Sequence, residues 1–311
     1  MTVSAEAPAL LLPAMVDAAA AVAERLKHIY IDGFGALLSS LAVAAAIVAA
    51  VLAGEALLVG WKSSSAFRLT RLSRSARTDL LAFVLVETSL ALVIGMSMFF
   101  GVTYLIQKLI AAGFVHVEKL KVSSPVGALI IYFLVVDFVN YWAHRLYHRV
   151  PALWELHRYH HSAPEMTGLT AFRDHPMERA VTWLLLAVPA ALIAMPVSDF
   201  VAVHALAKVI GILKHTNVKS NWGWFGRYLI RSPGAHWVHP SMDPAHHDRN
   251  FSSLFQFWDV IFGTAAHPRP ETARAIRIGL ADDSGQAPPL RYLGRVCVVG
   301  WGRLLGSGKR R

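Results

Sequence analysis

Asp137-Phe138-Val139-Asn140-Tyr141-Trp142-Ala143-His144-Arg145-Leu146-Tyr147-His148 is the stretch on which the fold turns. It closes an apolar run that begins near Val126, and it ends in two histidines four residues apart. Helical spacing puts His144 and His148 on one face, with Asn140 and Asp137 four and seven residues before His144 on roughly the same face. An apolar helix that delivers imidazoles at its end is expected. Asp137 and Asn140 are costly inside such a span unless they have a task, and orienting imidazoles is one.

Downstream, Pro151 suits the first turn of a helix. The segment Leu153-Trp154-Glu155-Leu156-His157-Arg158-Tyr159-His160-His161 then places His157, His160 and His161 three and four residues apart, as a trio expected on one face. His175, His215, His236, His239, His246 and His247 follow, within a chain that holds 15 histidines. Neutral imidazole is the commonest nitrogen ligand of first-row metals, and two ligands per helix face fix an ion between helices. A set of nitrogens without thiolates suits Fe, Zn or Cu, and two groups of about four or more suit two metals. Surface or packing histidines are the bland alternative; clustering beside an apolar run argues against it. His28, His116, His204 and His267 lack clustered partners and are expected to be structural or exposed.

Composition sets the frame. The 311 residues are 55% hydrophobic and 16% charged, with a mean hydropathy of +0.45, which points to a polytopic membrane protein. A formal charge of +10 and a pI near 9.9 then suit anionic lipid head groups, and no motif argues for nucleic acid. The single cysteine, Cys297, excludes an internal disulfide framework, a Cys-based zinc site and a self-held iron–sulfur cluster. Gly33-Phe34-Gly35 and Gly300-Trp301-Gly302 lack the context of a dinucleotide fingerprint, so any reductant must come from another protein.

The apolar runs are Leu37 to Trp61, Leu80 to Ile106, Val126 to Trp142, and a region from Val181 to Leu213 broken by Pro189, Pro196 and Asp199 into an expected hairpin of two short helices. Residues 1–30, with an Ala-rich stretch from Val16 to Ala23, suggest an amphipathic surface helix. Lys62, Arg68, Arg71, Arg74 and Arg77 follow the first run, against Lys108, Glu118, Lys119 and Lys121 after the second. The positive-inside rule therefore puts residues 62–78, and with them the histidines after Trp142, in the cytoplasm. Phe251, Leu254, Phe255, Trp258, Ile261 and Phe262 recur at helical intervals, suiting either a membrane-interface helix or a packed cap helix. Lys309-Arg310-Arg311 ends a basic cytoplasmic tail.

Several of these segments match one family. The opening stretch resembles the first histidine box of the fatty acid hydroxylase and sterol desaturase superfamily, and His157-Arg158-Tyr159-His160-His161-Ser162 resembles the second. Phe172-Arg173-Asp174-His175-Pro176-Met177-Glu178 is similar to its Arg-x-His-Pro-x-Glu segment, and His215-Thr216-Asn217 to its lone-histidine segment. His236-Trp237-Val238-His239, with Asp243 to Phe251 behind it, resembles the third box, and Trp258-Asp259-Val260-Ile261-Phe262-Gly263-Thr264 the closing signature. The resemblance implies an all-α polytopic membrane helical bundle with a cytoplasmic, histidine-rich metal-binding cap. It implies two Fe ions in a non-haem di-iron centre, O₂ as co-substrate, a lipid taken from the bilayer, and an external electron donor such as a reductase, cytochrome or ferredoxin. Its domains would be 1–125, a membrane region with two spans and an N-terminal surface helix; 126–265, the hydroxylase-like domain; and 266–311, the basic tail.

One departure stands out. The family's third box usually ends in two adjacent histidines, and this chain has His239-Pro240. His246 or His247 would have to replace the missing ligand, or the second metal is held more weakly, or activity is lost. Asp174, Glu178 and Asp248 join Asp137 and Asn140 as candidates to orient imidazoles, with a solvated or salt-bridged role as the alternative. The leading function is hydroxylation or desaturation of a sterol-like, fatty acyl or amino-lipid. A zinc-dependent membrane hydrolase is disfavoured by the lack of a His-Glu-x-x-His motif, and a non-catalytic or degenerate metal-binding protein is the remaining alternative.

Overall fold

The computed structural model describes residues 34–98, 122, 124–193, 197–267 and 276–280, with isolated residues near both ends. The expected N-terminal surface helix, the end of the second apolar run, the loop that follows it and the basic tail lie largely outside these residues. Among the described residues the chain is all-α, with two isolated bridges, Ile230 to Phe255 and Ser241 to Ile278, as its only β-structure. Helix α1 spans Phe34–Val59. Its positions Ala44, Val48 and Leu52 recur every fourth residue and are buried against Ala82, Phe83, Val86, Leu169, Phe172 and Ile212. Its outer face leaves Val43, Leu57 and Leu58 60%, 88% and 74% exposed. An apolar face left uncovered to that degree suits lipid rather than water.

The second apolar run is not one helix. Short α2 (Ser65–Thr70) leads to α3 (Arg74–Glu87), started by the Ser73 hydroxyl accepting from Ala76 N at 3.1 Å. Thr88 and Ser89 then break the helix, Ser89 taking the left-handed φ of 58°, before α4 (Leu90–Met98) resumes. The hydropathy that predicted a single span cannot see this reversal of backbone sign. The third run becomes α5 (Pro125–Arg149), capped by the Ser124 hydroxyl with Pro125 in its first turn, and it extends beyond Trp142 to carry both histidines. Val150 ends it, and Pro151 starts α6 (Pro151–His161) at once.

The fourth region forms two helices, α7 (Pro176–Ile193) and α8 (Val197–Lys214), as anticipated. Pro189 stays inside α7. Among the described residues, three short helices follow: α9 (Gly223–Tyr228), α10 (Pro233–Val238) and α11 (Phe257–Ile261). Among the described residues, two helical segments, Leu37–Val59 and Pro125–Arg149, are long and apolar enough to cross a membrane.

Buried carboxylates on α1 and α3 tie these helices to the segments that carry and flank the histidines. On α1, Glu55 accepts from Ser65 N at 3.0 Å, Ser65 Oγ at 2.9 Å and Asn217 N at 2.7 Å. On α3, Asp79 accepts from Thr167 Oγ1 at 2.8 Å, Thr170 Oγ1 at 2.9 Å and Arg173 Nε at 2.7 Å. Asp79 and Arg173 are both fully buried, so each charge depends on the other. Asp79→Ala should therefore cost about 3–5 kcal/mol of stability by stranding Arg173. Thermal unfolding of the purified chain in detergent tests this, with the double substitution D79L/R173M expected to recover much of the loss; an unchanged midpoint for Asp79→Ala contradicts it.

Candidate metal centre

Eight histidines converge in two groups. One ring nitrogen from each of His144, His148, His157, His161 and His239 lies within 4.8 Å of the others, and the same holds within His160, His215 and His236. Helix α5 supplies His144 and His148 from one face, as their spacing required. Helix α6 behaves otherwise. Its trio divides, His157 and His161 (four apart) entering the five-membered group while His160 enters the three-membered one. His236 and His239 divide in the same way at the end of α10. The groups adjoin, with His157 and His160 ring centroids 5.4 Å apart and His236 and His239 6.0 Å apart.

Hydrogen bonds fix which nitrogen four of the eight rings offer. His144 donates from Nδ1 to the Phe251 carbonyl at 2.7 Å, His239 to the Arg249 carbonyl at 2.8 Å, and His215 to the Gly211 carbonyl at 2.7 Å. His157 Nδ1 faces the Glu178 carboxylate at 2.7 Å. Each contact holds the ring and leaves Nε2 with its lone pair. The Nε2 atoms of all five histidines in the first group are buried with no protein partner. In the second, His215 Nε2 lies 2.9 Å from His236 Nε2 and 3.3 Å from His160 Nε2. Nitrogens bound at ~2.1 Å to one ion stand roughly 3.0–3.4 Å apart, so this spacing suits a shared metal. In the first group, buried lone pairs aimed at one another are unfavourable without a cation between them. The residues fit two first-row metal ions.

Protonation agrees. Burial, and then the neighbouring charges, hold His161, His215, His236 and His239 well below the ordinary histidine value of 6.5 and bring His160 to about 3. These rings are neutral at neutral pH, the state a metal needs.

Three of the eleven histidines proposed as ligands stand outside both groups. His175 is buried at the start of α7, where its Nδ1 accepts from Met177 N at 3.1 Å. His246, on the turn Pro244–His246, faces Ser241 Oγ at 2.9 Å, and His247 is exposed. Neither takes the place that Pro240 leaves. Asp243, whose carboxylate accepts from Ala245 N, starts the turn that carries both.

Of the supporting residues, Glu178 alone meets a clustered imidazole in the hydrogen bonds described above. Asp137 accepts from Leu254 N and Phe255 N, both at 2.8 Å, and Asp259 accepts from Phe251 N at 2.7 Å and Ser252 N at 2.9 Å. These bonds keep residues 251–256 out of a helix, so the expected stripe from Phe251 to Phe262 is helical only in α11. Asp174 pairs with Arg179 at 2.9 Å, Asp248 with Arg149 at 3.5 Å, and Asn140 lines the adjoining cavity. That cavity, about 740 Å³, is walled by Val86, Leu92, Trp183 and Leu186 and bounded by His144, His157, His160, His215 and His236. Lys214 and Arg231, which the sequence did not single out, also line it.

A folded value near 3 for His160 against 6.5 in an unfolded chain means that the unfolded chain binds more protons between these limits. Stability of the metal-free protein should therefore fall as pH drops below about 6.5, progressively towards about 3. Unfolding midpoints measured across that range after chelation check this, and a midpoint that rises on acidification contradicts it.

Residues 129–264 match the fatty acid hydroxylase family model. The chain is 31% identical to the alkylglycerol monooxygenase of Xenopus tropicalis over 170 residues, covering 54% of this chain and 36% of the relative. It is 32% identical to the methylsterol monooxygenase erg25A of Aspergillus fumigatus over 149 residues, covering 47% and 49%. It is 29% identical to the ornithine lipid hydroxylase OlsE of Rhizobium tropici over 140 residues, covering 45% and 42%. The matched segments thus span between about a third and a half of these relatives' lengths. No solved structure matches the chain. The matched segment holds all eight converging histidines, so the likeness to the fatty acid hydroxylase family falls on the candidate metal centre itself.

Proposed function

We propose that this protein is a multi-pass membrane oxygenase that uses O₂ and electrons from an external donor to hydroxylate, or desaturate, a lipid. The observation that carries the proposal is the pair of buried imidazole groups beside a cavity with apolar walls. His144, His148, His157, His161 and His239 would hold one iron, and His160, His215 and His236 the other. Bound iron supplies the reduction and cleavage of O₂ that a C–H bond of an alkyl chain demands and no side chain can provide. In hydroxylation one oxygen atom enters the C–H bond, and the other leaves as water with two electrons and two protons from outside.

The chain's own residues prepare that chemistry. Carbonyls of Phe251, Arg249 and Gly211 lock three rings, and Glu178 locks His157. Val86, Leu92, Trp183 and Leu186 accept hydrocarbon and exclude water. A three-imidazole set leaves a first-row metal with open positions, so the histidine that Pro240 displaces is dispensable for binding an ion. The named activities of the relatives, on alkylglycerol, methylsterol and ornithine lipid, support a lipid substrate.

The placement of two helix ends supports an orientation. Glu55, near the end of α1, is bonded to Asn217, two residues from His215, while His144 and His148 end α5. Both membrane-length helices therefore finish beside the histidines, next to the arginine-rich segment 62–78. This supports a cytoplasmic metal-binding face.

Membranes from expressing cells, incubated under isotopically labelled O₂, should contain a lipid with one incorporated label, or one lacking two hydrogens. His160→Ala should abolish that product, and Glu178→Gln should lower its formation about 10–100-fold. No O₂-dependent change across the lipidome would overturn the proposal.

A further inference from the structure

We infer that Arg231 and Lys214 form an anion-binding subsite in the cavity, beside His215 and His236, that takes one carboxylate or phosphate group. The inference deepens the lipid-oxidising function and rests on it for the identity of the cavity. Arg231 lies between α9 and α10 and is 1% exposed; Lys214 is 6% exposed. Both line the cavity. Arg231 is held by its own backbone, whose N–H donates to the Leu254 carbonyl at 2.8 Å, and by Nη1, which donates to the Ser252 carbonyl. Lys214 Nζ donates to the Ser253 carbonyl. Nε and Nη2 of Arg231 are buried with no protein partner.

Those two nitrogens share one edge of the guanidinium and point in parallel, the geometry that binds a carboxylate or phosphate through two hydrogen bonds. The nearby acids do not meet that edge. Asp137 is engaged by the amides of Leu254 and Phe255. Asp259 is engaged by Phe251 N, Ser252 N, Ser252 Oγ and Thr264 Oγ1. Among the described residues, Arg231 and Lys214 form no ion pair within 4.0 Å. Asp137 and Asp259 offset these charges through space, but the donor edge of Arg231 stays unmatched, and cationic metals beside it would make the pair less favourable. An anionic group removes the difficulty. Val86, Leu92, Trp183 and Leu186 on the cavity wall then suit a hydrocarbon chain attached to that group.

The test compares ligands of one chain length on the full chain in detergent: hexadecanoate, hexadecyl phosphate and methyl hexadecanoate, with acetate and inorganic phosphate as competitors. Native mass spectrometry should show the acid and the phosphate bound at least about tenfold more tightly than the ester. Arg231→Gln should erase that preference and leave ester binding unchanged, which a general loss of structure would not do. Should R231Q fail to fold, R231K decides, because it keeps the charge and loses the paired edge; it should lose most of the preference. Inorganic phosphate or acetate bound in an Arg231-dependent way, with no preference among the lipids, would assign the subsite to a small free anion. No preference for the acidic lipids together with no anion binding, or a preference undiminished in R231Q or R231K, overturns the inference. Because binding is read without turnover, this failure is distinct from the absence of an oxidised product, which would overturn the function itself.

Discussion

Five imidazole Nε2 atoms, each buried and without a protein partner, face one another within a space where the ring nitrogens are no more than 4.8 Å apart. A buried acceptor left unmatched costs on the order of 1–3 kcal/mol, and here five such atoms adjoin. Burial also keeps His161 and His239 neutral, so these rings repel protons and attract a metal cation instead. Most of the surrounding architecture serves to hold this unfavourable arrangement in place. Helices α5 and α6 contribute four of the five rings, and the abrupt passage from Val150 to Pro151 sets the angle between them.

A second layer does the holding through the backbone. Asp137 sits on α5, the helix that carries His144, and fixes the amides of Leu254 and Phe255. The same loop, pinned at Phe251 and Ser252 by Asp259, returns the Phe251 carbonyl to His144. Helix α5 thus presents the ligand and anchors the segment that orients it. A buried carboxylate on an apolar helix is explained by this closure, since it meets two donors that would otherwise be unsatisfied. Glu55 performs a similar service from α1, where it steadies the segment after His215.

The sequence made the ligand-bearing helices legible because the relevant information is local. Apolar length identified α1 and α5, and the four-residue interval placed His144 with His148. What it hid is non-local. The separation of His160 from His157 and His161 depends on where α8 and α10 bring His215 and His236. The break at Thr88 and Ser89 rests on a backbone sign that hydropathy does not encode, and the loop 251–256 is held by carboxylates from α5 and α11 that override its helical spacing. His175, His246 and His247 looked like ligands because motif position cannot distinguish a helix-start acceptor or a turn residue from a cluster member. Arg231 carried no motif signal, and its importance appears only when its unpartnered edge and the engaged carboxylates are seen together.

The central claim is that the two groups of histidines hold two metal ions despite Pro240. Elemental analysis of the intact chain, purified from iron-replete cells without added metal, tests it most directly. The account predicts two irons per chain in the native protein and one in His236→Ala, which removes a ring from the three-membered group while leaving the five-membered group complete. A native protein that retains one ion only, or a His236→Ala variant whose content is unchanged, would contradict it.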